Sequence, residues 1–197
     1  MIPSQFAVFF ANEIDSESVV IELGSGNGRD AMFLGKCVNY VLAVDGSEAG
    51  INSCVTESKR QGFKNIDFIH SLIDDSELVN KVKNKLLSVS ADLPIYIFSR
   101  FFLHSINEQD EDKLIFLIAQ LLENHNGAIY FEFRTMEDEL LSKYTGAHYR
   151  RYVDPARLIK KFNDLDYATD YHVQGVGFAK YKVDDAHVAR LVFSRTK

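Results

Sequence analysis

Short apolar runs alternate with longer amphipathic segments along the first two-thirds of the chain. Runs of five or six residues rich in β-branched and aromatic side chains predict five strands, at 18–23, 40–45, 65–70, 95–99 and 128–133. The segments between them predict helices that begin near Asn27 or cover 48–61, 76–88 and 110–123. Strands that alternate with helices indicate a mainly parallel sheet with helices on both faces.

The pattern changes after the fifth predicted strand. Residues 134–153 are polar, aromatic and basic, and they show no clean period. Asp154 followed by Pro155 is typical of a helix N-cap and first turn, so we predict a helix that runs to about Asn163. The last two strands, which could pair as an antiparallel hairpin, are predicted at 167–174 and 187–194.

The composition is that of a folded globular protein. The 197 residues suit one domain over the whole chain, and 46% apolar with 25% charged residues is close to the globular average. The formal net charge of −6 is a poor global match to nucleic acid or to an anionic membrane. The longest apolar stretch, 114–122, is broken by Gln120 and is far shorter than the ~20 residues that a membrane span needs.

Cysteine usage and the N-terminus indicate the compartment. Cys37 and Cys54 lie in segments predicted as helices, and their spacing matches neither a disulfide framework nor a zinc site. The first apolar run has no basic region before it and is a poor signal peptide. We therefore expect a cytoplasmic protein that holds no metal ion.

A glycine loop follows the first strand and opens a helix. Its sequence, E-L-G-S-G-N-G-R-D over 22–30, lets the backbone turn tightly and lets a ligand approach closely. Asp45 ends the second strand, where a carboxylate can accept both hydroxyls of a ribose. Arg29 stands where a dinucleotide fingerprint has its third glycine, which counts against NAD. Glu22 would repel a pyrophosphate but could hold a cationic amino group.

These features resemble class I S-adenosylmethionine (SAM)-dependent methyltransferases, in which E-L-G-S-G-N-G-R-D is motif I and V-D-G-S is the acidic motif. The resemblance implies a Rossmann-like fold, with the glycines under the methionine part of SAM and the residues after strand three near adenine. An acidic residue often found there is absent, so a contact to the adenine amino group would come from the backbone or from Asp74. The cofactor-binding residues predicted in this way are Glu22, Gly24, Ser25, Gly26, Asp45, Gly46, Ser47, Leu72, Ile73, Ser99, Arg100 and Phe101.

The segment S-R-F-F-L-H-S-I follows the fourth strand, at the carboxyl edge where open α/β sheets bind ligands. Similar methyltransferases carry such a segment against the methionine moiety and the transferred methyl group. The resemblance implies that Arg100 could pair with the SAM carboxylate and that Phe101 or Phe102 could wall the sulfonium through a cation–π contact. His104 could orient the loop, touch the acceptor or only cap the next helix.

A basic, aromatic stretch after the fifth strand is the candidate acceptor site. Arginine forks match phosphate or carboxylate oxygens two at a time, so we predict an anionic acceptor. The alternative is a solvated loop whose arginines pair with the acidic residues at 137–139. An anionic oxygen needs no general base, whereas a sugar hydroxyl would need one, for which His148 and His104 are the catalytic candidates. The predicted substrate-binding residues are Arg134, His148, Tyr149, Arg150, Arg151 and Tyr181.

Motifs spread over nearly the whole chain, including P-S-Q-F-A, F-E-F-R-T and H-Y-R-R-Y-V-D, resemble small methyltransferases of capsule and O-antigen biosynthesis. This resemblance implies an acceptor on a cell-surface polysaccharide, such as a phosphate or phosphoramidate. Phe6, Phe9 and Phe10 could then close over SAM or simply pack a first helix on the sheet. Remaining alternatives are a methyltransferase for a small carboxylate or hydroxyl compound, a non-catalytic SAM-binding protein and an NAD-dependent oxidoreductase.

Overall fold

The chain builds one seven-stranded sheet in the order β3-β2-β1-β4-β5-β7-β6. The computed structural model describes residues 2–87, 89, 92–141 and 149–196. Neighbours among β1 to β5 pair in parallel, whereas β7 pairs antiparallel with both β5 and β6. The strands are β1 (Val19–Leu23), β2 (Tyr40–Asp45), β3 (Ile66–His70), β4 (Ile95–Arg100), β5 (Ala128–Arg134), β6 (Tyr167–Gly175) and β7 (Val188–Arg195). The predicted parallel sheet with its terminal hairpin is confirmed.

Helices cover both faces of this sheet, as predicted. They are α1 (Gln5–Glu13), α2 (Arg29–Leu34), α3 (Glu48–Gln61), α4 (Leu78–Leu86), α5 (Glu108–Leu122) and α6 (Pro155–Asn163). The Asp154 side chain accepts a hydrogen bond from the backbone N–H of Ala156, so α6 begins where its capping signal predicted. Helix α5 begins two residues earlier than the apolar period indicated, because the Asn107 side chain caps it.

The central strands β1, β2, β4 and β5 are buried on both sides, and alternate residues of β1 contribute to two apolar cores. Val19, Ile21 and Leu23 of β1 pack toward α4, α5 and α6, whereas Val20 packs toward α1, α2 and α3. Burial on both faces explains why these strands are continuous apolar runs rather than alternating ones. Within the described residues no helix is long and apolar enough to cross a membrane.

The aromatic residues near the start of the chain pack a helix on the sheet. Phe6 and Phe10 of α1 are fully buried, and their rings lie 5.1 and 4.9 Å from that of Phe98 on β4. Phe9 is partly buried, and its ring centre is 5.4 Å from that of Tyr171. Of the two interpretations of these residues, the contacts therefore support packing rather than a cover over the ligand site.

Candidate functional site

Three cavities follow one another along the carboxyl edge of the sheet. The apolar cavity, of about 210 Å³, lies between the ends of β1 and β2 and is walled by Leu72, Ile73 and Phe102. The loop cavity, of about 140 Å³, lies over the glycine loop, and it shares Gly24 with the apolar cavity. The basic cavity, of about 570 Å³, shares Arg100 with the loop cavity. Adjacent cavities of this kind suit an elongated ligand whose end lies beside a second ligand.

Left-handed backbone in the glycine loop creates this space. Gly24, Gly26 and Gly28 have φ angles of +80°, +55° and +69°, which L side chains rarely adopt. A Cβ at Gly24 would lie 2.6 Å from the ring of Phe102, so only glycine fits there. The loop therefore brings bare backbone to the edge of both the apolar and the loop cavity.

Asp45 is fixed by two backbone amides. The N–H of Gly26 donates to its Oδ2 at 2.7 Å, and the N–H of Ser47 donates to its Oδ1 at 2.8 Å. Each carboxylate oxygen keeps a further lone pair, and the residue lines the apolar cavity. The Ser47 hydroxyl accepts from the N–H of Gly50 and so caps α3 rather than facing the cavity. A preset carboxylate at this point can accept hydroxyl donors from a ligand.

Two buried polar atoms in the loop cavity have no partner. Glu22 is 3% exposed, and its Oε2 accepts no hydrogen bond within the described chain. The buried Oγ of Ser25 is likewise unpaired. Burial, reinforced by the charges of Asp30 and Asp45, raises the pKa of Glu22 well above its usual value, although Arg29 opposes the rise. Unsatisfied buried groups are costly, so this cavity is built for a polar ligand.

The apolar cavity offers an exposed hydrophobic wall. Leu72 is 60% exposed and lies so close to Gly46 that a Cβ there would come within 2.8 Å of Leu72 Cδ2. Phe102 and Ile106 complete the wall, and Asp74 and Asp110 also line it. The sequence predicted Leu72, Ile73 and Gly46, offered Phe102 and Asp74 as alternatives and included Ile106 in the segment after β4, but it missed Asp110. Asp110 lies in the first turn of α5, and only packing brings it to the cavity.

Arg100 stands where the loop and basic cavities meet. Its Nε donates to Glu132 Oε1 at 2.8 Å, and its guanidinium carbon lies 4.1 Å from the ring centre of Phe101. Phe101 has a φ of +58°, a strained conformation for a bulky residue, and its ring lines the basic cavity. The two adjacent phenylalanines thus face different cavities, with Phe102 on the apolar side. Ser99 lies beneath them, its buried hydroxyl bonded to the carbonyl oxygen of Leu23.

The basic cavity is lined by five cationic residues and one acidic residue. Arg134 is the most buried of them, and it donates to Asp138 Oδ2 at 2.7 Å and to Asp184 Oδ2 at 2.9 Å. Its charge is therefore balanced within the protein. Tyr181 stands at the rim with 59% of its surface exposed. The charged lining residues are Arg29, Arg100, Arg134, Arg150, Lys180 and Asp184.

Comparison with known proteins agrees with this geometry. Residues 14–152 match the family described as "Methyltransferase domain". The chain belongs to this family. No curated protein sequence matched the chain.

Solved structures share the fold of this methyltransferase. A SAM-dependent methyltransferase from Anabaena variabilis is 20% identical, with 96% of this chain and 82% of that chain covered at a TM-score of 0.71. One from Methanosarcina mazei is 10% identical, with coverages of 95% and 96% and a TM-score of 0.73. The glycopeptide N-methyltransferase MtfA, solved with SAM, is 11% identical, with coverages of 98% and 95% and a TM-score of 0.69. At the level of family and fold, the predictions of a class I methyltransferase and of SAM as its cofactor are confirmed.

Most of the predicted cofactor residues of the methyltransferase come together. The four predicted residues within the glycine loop segment line the loop cavity. The predicted residues that lie at or just after the ends of β2 and β3, apart from Ser47, line the apolar cavity. Ser47 and Ser99 instead support the site from behind. The residues that line one of the three cavities are Glu22, Gly24, Ser25, Gly26, Asp45, Gly46, Leu72, Ile73, Arg100 and Phe101.

The predicted acceptor residues divide into two groups. Arg134, Arg150 and Tyr181 line the basic cavity. Arg151 does not line it. Its guanidinium pairs with Glu111 and also donates to the backbone carbonyl oxygens of Ile106 and Leu103, between β4 and α5, at 3.0 and 3.1 Å. Tyr149 is exposed outside the lining of the three cavities. His148 lies outside the described residues, so its predicted roles in catalysis and acceptor binding stay predictions.

His104 is buried at the floor of the basic cavity. The backbone N–H of Arg134 donates to its Nδ1 at 3.4 Å, and the ring centres of His104 and Phe101 are 5.0 Å apart. Burial, together with the charges of Arg134 and Arg150, lowers the pKa of His104 to about 3. Efficient general bases have pKa values near the working pH, so this value does not favour the predicted general-base role.

Proposed function

We propose that this methyltransferase binds SAM across the apolar and loop cavities and methylates an anionic acceptor held in the basic cavity. The observation that carries the proposal is the pair of unpartnered buried atoms, Glu22 Oε2 and Ser25 Oγ, in the cavity between the other two. SAM contains an aromatic base, a ribose and an amino-acid end in that order. The two cavities offer the matching groups in the same order, with Leu72 and Ile73 first, then Asp45, then Glu22.

The residues that line the two cavities match the chemical groups of SAM. Leu72 and Ile73 form the wall for adenine, and Asp45 keeps free lone pairs for the ribose hydroxyls. Glu22 supplies an acceptor for the ligand's α-amino group, and Arg100 lies within the same lining to pair with its carboxylate. When bound, SAM supplies an electrophilic methyl group on a sulfonium, open to in-line attack by a nucleophile.

The charges of the basic cavity favour an anionic acceptor. Five cationic side chains line it, of which Arg29, Arg100 and Arg134 each form an ion pair with a carboxylate of the protein. Lys180 has no ion-pair or hydrogen-bond partner within the described chain, and Arg150 lines the same cavity. An anionic oxygen is already a nucleophile, so the protein's residues need only bind it, orient it and exclude water.

The resemblance to capsule and O-antigen enzymes supports a finer proposal for this acceptor. A phosphate or phosphoramidate on a sugar, in a cytoplasmic step of cell-surface polysaccharide synthesis, combines an anion with a ring. The exposed ring of Tyr181 and the apolar side chains of Ile2 and Pro3 lie beside the cationic lining, and they could contact the sugar ring of such an acceptor. A small carboxylate compound would use the same cations without the ring contacts.

The test is a product assay with matched acceptors. The protein is incubated with SAM and with sugar phosphates, nucleotide-linked sugars, the corresponding neutral sugars and simple carboxylates. Mass spectrometry then looks for a gain of one CH₂ and for S-adenosylhomocysteine. Methylation of phosphorylated sugars but not of their neutral counterparts is expected. Methylation of neutral sugars alone would contradict an anionic acceptor.

Binding assays separate the competing functions. SAM should raise the melting temperature, and NAD should not, since Arg29 and Glu22 occupy the loop. Tight SAM binding without turnover of any acceptor would instead favour a non-catalytic SAM-binding protein. Stabilisation by NAD would overturn the proposed cofactor site.

A further inference from the structure

His104 occupies a position between the two parts of the proposed acceptor site. It lies in a short 3₁₀ helix, Leu103–Ser105, which follows β4, and its side chain lines the basic cavity. The ring packs against Phe101, and the guanidinium carbons of Arg100 and Arg134 lie 4.1 and 5.4 Å from the centre of the Phe101 ring. The imidazole is thereby held in one orientation beside the residues that line the anion site.

The two ring nitrogens of His104 have different environments. Nδ1 accepts the backbone N–H of Arg134, so in the neutral ring the proton must be on Nε2. Nε2 has no hydrogen-bond partner within the described chain, and it is not completely buried, so solvent or a ligand can reach it. The opening that it can reach is the cavity that the side chain lines. An N–H donor is therefore available there.

The charges around His104 keep it from acting as a base. Arg134 on β5, Arg150 on the segment before α6 and Arg100 on β4 all disfavour the protonated ring, and only Asp138 favours it. With burial, they lower the pKa to about 3. The ring is then neutral at physiological pH. A bound anion would raise the pKa, but Nε2 carries a proton in both states and donates in both.

We propose that His104 binds the acceptor by donating a hydrogen bond from Nε2 to an oxygen of its anionic group, and that it is not the general base. The inference rests on the proposed function, because it assumes that the acceptor occupies the basic cavity. It also narrows the substrate class. An imidazole N–H beside several cations binds an oxyanion as the anchoring group of the acceptor and disfavours a protonated amine at that place.

Nuclear magnetic resonance of the imidazole nitrogens tests the tautomer without turnover. In protein loaded with S-adenosylhomocysteine, His104 is expected to be the Nε2–H tautomer and to stay neutral from pH 8 to pH 5. Titration with inorganic phosphate should shift its Nε2 resonance, while His172, exposed on β6, should not respond. An Nδ1–H tautomer, a midpoint near 6.5 or no response to phosphate would overturn the proposal.

Kinetics of two variants test the role. Gln can present an N–H close to the place of Nε2, whereas Leu cannot. His104→Gln should keep kcat/KM for the acceptor within about 5-fold, and His104→Leu should lower it by about 10- to 150-fold, the loss of one hydrogen bond to a charged group. The SAM Kd should stay unchanged in both, and His172→Gln is the control.

The outcomes separate this inference from the proposed function. Equal losses in His104→Gln and His104→Leu, with a wild-type pH profile that falls below a pKa near 6.5, would establish a general base and refute the inference. If His104→Leu fails to fold, the Gln variant and the resonance data still decide. If no acceptor is turned over at all, the proposed function fails, and the response of His104 to phosphate still supports or refutes the hydrogen bond.

Discussion

Replacing Glu22 by Gln should weaken SAM binding and, at the same time, stabilise the ligand-free protein at alkaline pH. The Glu22 side chain has one unpaired oxygen, and burial raises its pKa, as do the charges of Asp30 and Asp45 to a smaller extent. Gln keeps the size and the acceptor oxygen but has no charge. The substitution therefore removes an unpaired buried charge from the free protein. It also removes the charged partner of the SAM amino group from the complex.

The magnitude follows from the contact that is lost. A hydrogen bond to a charged group contributes about 1.5–3 kcal/mol, so the SAM Kd should rise about 10- to 150-fold. The unfolded chain releases the Glu22 proton near pH 4.3, about the usual value, while the folded chain holds it to higher pH. Wild-type stability thus falls as pH rises through that window. The free energy of unfolding of Glu22→Gln relative to wild type should rise over the same range.

Isothermal titration with SAM and with S-adenosylhomocysteine measures the first effect, and urea unfolding at pH 5 and pH 8 measures the second. Both ligands carry the α-amino group, so the affinity of the protein for both should fall by the same factor. Glu139→Gln, on an exposed site, is the matched control and should change neither quantity. Unchanged SAM affinity in Glu22→Gln, or a variant that loses stability relative to wild type as pH rises, would refute the reasoning.

Three further substitutions separate the roles of the site's residues. Arg151→Ala removes one partner of buried Glu111 and should lower the free energy of unfolding by about 1–3 kcal/mol in urea, with an unchanged acceptor KM. Lys180→Ala should raise the acceptor KM about 2- to 5-fold, as for an exposed charge, without changing the SAM Kd in titrations. Leu72→Ala removes part of the apolar wall and should raise the SAM Kd about 5- to 30-fold, whereas Leu87→Ala, outside the site, should not.

The parts of the molecule that depend on local pattern were predictable from the sequence. A glycine loop after an apolar strand, followed by an acidic residue at the end of the next strand, fixes where a parallel sheet binds its ligand. Asp45 and the loop glycines therefore lie where their spacing indicated. Helix α6 begins at its Asp154 cap because capping is also a local interaction.

Residues whose role depends on long-range pairing were not predictable. Arg150 and Arg151 are adjacent in a basic stretch and carry the same charge, yet Arg150 lines the basic cavity and Arg151 pairs with Glu111 on α5. Nothing in the local sequence distinguishes them, because the partner lies 40 positions away. Asp110 lines the apolar cavity for the same kind of reason, because α5 packs against the sheet.

The start of the chain shows how such pairing joins the two halves of the site. Ser4 caps α1 and donates both its N–H and its hydroxyl to Asp30, directly after Arg29 in the glycine loop segment.

Further along the same helix, Phe6 and Phe9 pack on the guanidinium of Arg190, which holds one oxygen of Glu132 while Arg100 holds the other. Helix α1 is thus fixed at one end to the glycine loop segment that lines the loop cavity and along its side to the network that orients Arg100. Since Arg100 lines both the loop and the basic cavity, the first helix stabilises the point where these two cavities meet, although only residues 2–5 of this segment line the basic cavity themselves.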